Sequence, residues 1–212
     1  MSILQNNTDA LVKLQEMDTA ALEALFGPQA PVHGTIVGAL YNSDTDGMKS
    51  VLLHGNPAGV VAGLSILTRL TGAAGAELVT GCPVNEQELQ ANAGQLGLSL
   101  TITAGDMVDK RAHAADRLCT LDELAGLAER LMGRQPGCLV AVDDGLPQEY
   151  PHDTPVSQVV GDVEKGVLTD HRFYPAATLS ELTLGELKLK SGVFHRLTGG
   201  HCAVHQADEE IA

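Results

Sequence analysis

The run from Asn42 to Gly47 gathers oxygen ligands closely: Asn42, Asp44 and Asp46, closed by Gly47 and followed by Lys49. Oxygen ligands at alternate positions ahead of a glycine are how a calcium loop begins. The glutamate that completes such a loop is missing, since residues 48–53 read Met-Lys-Ser-Val-Leu-Leu. An Asx-rich turn accounts for the same residues. So does an anion-facing loop, in which backbone N–H groups near Gly47 and the Lys49 ammonium meet a phosphate. A second group, His201-Cys202-x-x-His205 with His195 nearby, has the ligand types of a zinc site. In a strand, successive side chains point to opposite faces, so Cys202 and His205 would not converge, and no metal is expected. Cys82 falls between a strand and a helix, where a helix N-terminus lowers a thiol pKa; a small buried residue is the simpler reading. Asp143-Asp144 follows a strand, but Gly145 and Pro147 make a turn the simpler explanation. No G-x-S-x-G, P-loop or G-x-G-x-x-G occurs, so no complete catalytic site is legible.

The elements that must position these residues alternate in type. Residues 8–26 carry Leu11, Leu14, Leu22 and Leu25 on one stripe of an amphipathic helix, stopped by Gly27-Pro28. Residues 32–40 read as a strand, and 58–71 as a mostly apolar helix opened by Pro57. A buried strand at 76–80, a helix from Pro83 to about 96 and an alternating strand at 98–103 follow. Thr120-Leu-Asp-Glu123 is a capping box that starts a helix over 121–131, ahead of a strand at 138–142. This alternation predicts an α/β layered fold with parallel pairing over residues 1–146. Pro147, Pro151 and Pro155 then punctuate a connection. Residues 151–212 form a second domain: short strand-like runs at 156–161, 166–174, 184–190 and 202–205 surround one helical turn at 179–182, a β-grasp-like pattern.

Composition narrows the function classes. Acidic residues outnumber basic ones 27 to 13, for a net charge of −14. That field repels phosphate backbones, and with aromatics at 3% there are few rings to stack bases, so no nucleic-acid partner is expected. The longest apolar stretch, residues 58–70, is short and interrupted by Ser65, Thr68 and Arg69, so no membrane insertion is expected. Cys82, Cys119, Cys138 and Cys202 are scattered, and the first ten residues are polar, which together point to a reducing cytoplasm.

Taken in order, the segments resemble the flavin-binding, NADH-oxidising subunit of respiratory complex I and its relatives in NAD-linked hydrogenases and formate dehydrogenases. Asn42-Ser43-Asp44, then Gly47-Met48-Lys49, then His54-Gly-Asn-Pro57 parallel that family's Asn-Ala-Asp-Glu, Pro-Gly-x-Phe-Lys-Asp and helix-opening Pro. Residues 58–95 parallel its first crossover. Asp116-Arg117-Leu118-Cys119-Thr120-Leu121 stands where the family has paired asparagines before Val-Glu-Thr-Leu; Thr120 is kept and both asparagines are changed. Val159-Val160-Gly161 through Gly166-Val167, Thr178-Leu179-Ser180-Glu181-Leu182 and Leu197-Thr198-Gly199-Gly200 resemble the family's soluble-ligand-binding β-grasp module.

The resemblance implies a cofactor-binding set of Asn42, Asp44, Gly47, Lys49 and Thr120, with flavin mononucleotide (FMN) as the group they would accommodate. The departures imply a reduced site. The family's Gly-Arg-Gly-Gly-Ala-Gly loop has no counterpart, Thr45 replaces the glutamate that positions NADH, and the Cys-x-x-Cys-x-x-Cys cluster segment is missing. No bound cofactor is therefore expected. The reading is a non-catalytic or accessory protein that binds a protein partner or small ligand in a redox assembly. Two alternatives stay open: an intact FMN-dependent NADH dehydrogenase component, and a self-associating structural protein.

Overall fold

The computed structural model describes residues 3–39, 46–80, 83–104, 117–142, 148–151, 153–154, 188–189, 192–197 and 201–205. The chain divides into two compact units, Ile3–Gln135 and Pro136–Ala212.

The first unit is built on four strands, β1 (Thr35–Ala39), β2 (Gly75–Thr80), β3 (Leu100–Ala104) and β4 (Arg117–Thr120). Their order is β3-β2-β1-β4, and every pair is parallel. Six described helices accompany them: α1 (Thr8–Glu16), α2 (Thr19–Phe26), α3 (Asp46–Gly55), α4 (Pro57–Thr71), α5 (Glu86–Gln95) and α6 (Leu121–Leu131). This is the α/β layered fold that the alternation of elements predicts. At its centre lies α4, buried on almost every side. Such a helix must be apolar nearly all round, and two of its polar residues satisfy themselves locally. The hydroxyls of Thr68 and Thr71 donate to the Leu64 and Leu67 carbonyls at 2.8 and 2.7 Å. Gly72, at φ +68°, then ends the helix in the left-handed conformation that glycine adopts without strain. Ala58, Ala62, Ile66 and Leu70 of α4 meet Leu11 and Leu14 of α1, Leu22 of α2 and Ala128 and Leu131 of α6 in one cluster. Gly63 lets α6 approach, since a Cβ there would collide with the Leu124 backbone carbonyl.

The structure departs from the sequence expectation in three places here. The helix expected over residues 8–26 is two. Met17 is extended, and the Asp18 carboxylate accepts from the Ala21 N–H at 2.8 Å, starting α2 afresh. Arg69 seals the break by donating to the carbonyls of Leu14 (3.0 Å) and Met17. Residues read as a turn and an unassigned apolar run become α3. Finally, α5 begins at Glu86 with the Asn85 side chain as its cap, beyond Pro83.

The second unit holds β5 (Cys138–Val142), β6 (Gln148–Tyr150), β7 (Lys188–Leu189), β8 (Gly192–Leu197) and β9 (His201–His205), in the order β6-β5-β9-β8-β7. β5 and β9 are parallel and the other pairs antiparallel. The strand at 138–142, expected to close the first domain, thus pairs with β9, with Val140 opposite Cys202. Part of the expected proline-rich connection is strand β6, with Tyr150 opposite Cys138. Gly137 permits this return: its N–H donates to Glu149 Oε1 at 2.8 Å, and a Cβ there would lie 2.7 Å from the Tyr150 carbonyl oxygen. The strands expected at 156–161 and 166–174 and the turn at 179–182 lie outside the described residues.

Candidate functional site

In open parallel sheets, ligands meet the carboxyl ends of the strands where the direction of winding reverses. Here β1, β2 and β3 are laid down in one direction, and β4 is added on the other side of β1. Ala39, the last residue of β1, pairs with Thr120, the last of β4. The segments leaving these strands therefore start side by side. The first leads through residues 40–45 into α3, and the second passes directly into α6. Gly47 and Lys49 lie in the first turn of α3, and Thr120 is the N-cap of α6. Asn42 and Asp44 fall within 40–45, outside the described residues.

The start of α6 is chemically occupied. Thr120 Oγ1 accepts from the Glu123 N–H at 3.3 Å, as the capping box predicts. Asp122 and Glu123 place two carboxylates in the first turn, and Asp122 is fully buried. Arg117 answers Glu123 at 3.3 Å and also donates to Gln29 Oε1 at 3.0 Å. Cys119 is buried beside them; burial first, and the Glu123 charge second, push its thiol up to about 12, against an opposing pull from Arg117. A helix N-terminus already facing its own acids has little field left for an incoming anion. Cations elsewhere in the unit are committed as well. Lys13 donates to the Leu131 carbonyl at 2.6 Å, Arg130 lies 5.4 Å from the centre of the Phe26 ring, and Arg69 and Arg134 hold internal partners. Lys49, Lys110 and Arg111 are the first unit's remaining basic residues.

A buried polar knot at the α3–α4 joint was not foreseen from the sequence. Asn56 is fully buried and caps α4: its Oδ1 accepts from the N–H groups of Gly59 (2.9 Å) and Asn7 (2.8 Å), and its Nδ2 donates to the Ile3 carbonyl at 2.7 Å. Asn7 Nδ2 in turn donates to Glu129 Oε1 at 2.8 Å, and Arg134 grips both oxygens of Glu129 at 2.5 and 3.0 Å. The signal lay in the Gly55-Asn56-Pro57-x-Gly59 spacing. A Cβ at Gly55 would sit 2.5 Å from the Leu4 carbonyl oxygen, and one at Gly59 would sit 2.5 Å from Asn56 Nδ2. Both glycines are therefore required by close approach.

Among the described residues, no group of three or more His, Cys, Asp or Glu is placed to hold a metal ion. In the β8–β9 ribbon, His195 pairs with Ala203, with His201 and His205 two residues to either side. Four strand residues span about 13 Å, too far for His201 and His205 to share a tetrahedral ion. Cys82 and Asp143-Asp144 lie outside the described residues. No described helix is long and apolar enough to cross a membrane.

No family model matches the chain, and a search of characterised proteins finds no match. A solved structure shares its fold. An NAD+-reducing NiFe hydrogenase chain in the air-oxidized state aligns at TM-score 0.51 and 13% identity, over 73% of this chain and 38% of that one. A structure of such a hydrogenase in the H2-reduced state aligns at TM-score 0.44 and 13% identity, over 76% and 39%. At 13% identity the likeness to the first is one of fold, and the chain spans about two fifths of the hydrogenase chain's length.

Proposed function

We propose that this chain is a catalytically reduced relative of the flavin-binding subunit of NADH dehydrogenases and NAD-linked hydrogenases. It binds a protein partner or small ligand at the carboxyl end of its parallel sheet, in a cytoplasmic redox assembly. The observation that carries this reading is the pairing of Ala39 with Thr120. It starts the segment that follows β1, and leads on to Gly47 and Lys49 of α3, beside the residue that caps α6, in a fold shared with an NAD+-reducing hydrogenase chain. The reduced character follows from chemistry. A flavin phosphate carries close to two negative charges near neutral pH. On a chain of net charge −14 it needs local donors, and the α6 N-terminus already serves Asp122 and Glu123. Thr45 offers no carboxylate to position a nicotinamide, and hydride transfer depends on such positioning.

The test is titration of the purified chain with FMN, followed by flavin fluorescence, beside an assay of NADH oxidation with an artificial acceptor. The expected result is no turnover and half-saturation above about 100 μM, less than about 5.5 kcal/mol of binding. Micromolar or tighter binding accompanied by turnover overturns the proposal and makes the chain an intact dehydrogenase component.

A further inference from the structure

We propose that residues 3–7 are a brace that fixes α3, and with it Gly47 and Lys49, at the carboxyl end of the sheet, with Asn56 as the positioning residue. The inference rests on the reading of that end as the ligand-binding end. α4 runs back toward the start of β2, and its last residue lies near the amino ends of the strands, where the Val32 N–H donates to the Thr71 carbonyl at 3.1 Å. Asn56, at the opposite end of α4, therefore lies toward the carboxyl ends. α3 ends at Gly55 and α4 begins at Pro57, so one residue joins them. Asn56 is non-helical there, at φ −139° and ψ 55°. Pro57 has no N–H to carry the α3 ladder through the joint. Two helices linked through one non-helical residue have an angle set by whatever grips that residue.

The grip comes from the segment before α1. The Ile3 carbonyl and the Asn7 N–H take both ends of the Asn56 amide, at 2.7 and 2.8 Å. Asn6 Oδ1 accepts from the Ala58 N–H at 3.0 Å, one residue into α4 beyond the proline. The Leu4 carbonyl lies against Gly55, where the absence of a side chain lets it approach. The segment is itself held from outside the joint. Ile3 is fully buried, and Asn7 is tied to Glu129, whose carboxylate is fixed by Arg134. The brace thus runs from Glu129 on α6 to the joint at the end of the helix that carries two of the candidate ligand residues.

Hydrogen exchange measured by mass spectrometry on the ligand-free full chain tests this, with wild type compared against Asn56→Ala, Asn56→Asp and Asn6→Ala. Asn56→Ala is expected to speed exchange of the amides at 48–55 by about tenfold or more, while 62–70 and the sheet keep their protection. Asn56→Asp keeps acceptors for the Asn7 and Gly59 N–H groups but loses the donor to the Ile3 carbonyl, and is expected to speed α3 exchange less than Asn56→Ala does. Asn6→Ala gives a smaller loss confined to α3 and the first turn of α4. Unchanged exchange in α3, or equal acceleration across α3, α4 and the sheet, overturns the brace. If Asn56→Ala does not fold, the two milder variants decide the matter by the same criterion. Because no ligand is present, a failed flavin titration counts against the ligand reading and leaves this measurement intact.

Discussion

Replacing Arg134 with Met strips a buried carboxylate of its counter-charge. Glu129 is 2% exposed and Arg134 29% exposed, so the acid carries nearly all of the desolvation. Arg134→Met removes the bonds at 2.5 and 3.0 Å and, among the described residues, leaves Glu129 the Asn7 amide at 2.8 Å. Breaking a fully buried pair costs about 3–5 kcal/mol. Arg134 keeps part of its head in water, which places the expected loss near the lower bound, at about 2–3 kcal/mol. In a unit of this size that lowers the melting temperature by roughly 5–12 °C. Glu129→Gln leaves a partly hydrated guanidinium and an amide that still accepts from Asn7, and is expected to cost about 1 kcal/mol. The double variant must then be more stable than Arg134→Met alone, because it carries no unpaired buried charge. Urea denaturation of the four proteins at neutral pH closes the cycle. A loss below about 0.5 kcal/mol for Arg134→Met, or a double variant less stable than either single one, refutes the coupling of Arg134 to the buried Glu129 side chain.

Two further changes probe the packing and the thiol. Gly63→Ala drives a methyl into the Leu124 backbone, and since neither helix can yield by a rotamer change, a loss of about 2–3 kcal/mol in urea denaturation is expected. Cys119 has a folded pKa of about 12 against an ordinary 9.0, so the unfolded chain releases its proton first as pH rises. Its contribution to stability is therefore intact below pH 9 and falls by up to about 1.4 kcal/mol per pH unit between 9 and about 12. Cys119→Ala should flatten that part of the alkaline limb, measured as the difference in urea stability between pH 8 and pH 10.5.

What the sequence made legible is what local chemistry writes. The Thr120 cap on the Glu123 N–H appears as read, because both partners lie within one turn. Strand and helix alternate along the first unit because apolar periodicity carries that information directly. The break at Met17–Asp18 was hidden by a stripe of leucines that runs across it; the cap on Asp18 and the reach of Arg69 from α4 decide it. α3 was illegible because Asp46-Gly47 looks like a turn and the apolar run behind it is short. The sheet that takes β5 depends on β9, far along the chain, and no local pattern records such a pairing. The same holds for the knot at Asn56: Asn7 and Glu129 stand 122 positions apart, and polar residues at such separations resemble surface in a linear reading. Glu77 shows this too, in a strand read as buried: it is 4% exposed and accepts from the Thr103 hydroxyl at 2.6 Å.

The strand order has a consequence for how the chain is made. β1 is the first strand of its sheet to leave the ribosome, yet one of its two neighbours, β4, is the last. Between Ala39 and Thr120 the chain grows by about 80 residues, roughly 4–16 s at common translation speeds. Throughout that interval one side of β1 presents amides and carbonyls with no strand of this sheet to receive them, a template for the wrong strand of another nascent chain. The excess of acidic residues keeps neighbouring polypeptides apart during the wait. A fragment ending before Arg117 never leaves this state, and it will collect in the insoluble fraction under conditions in which the full chain stays dissolved.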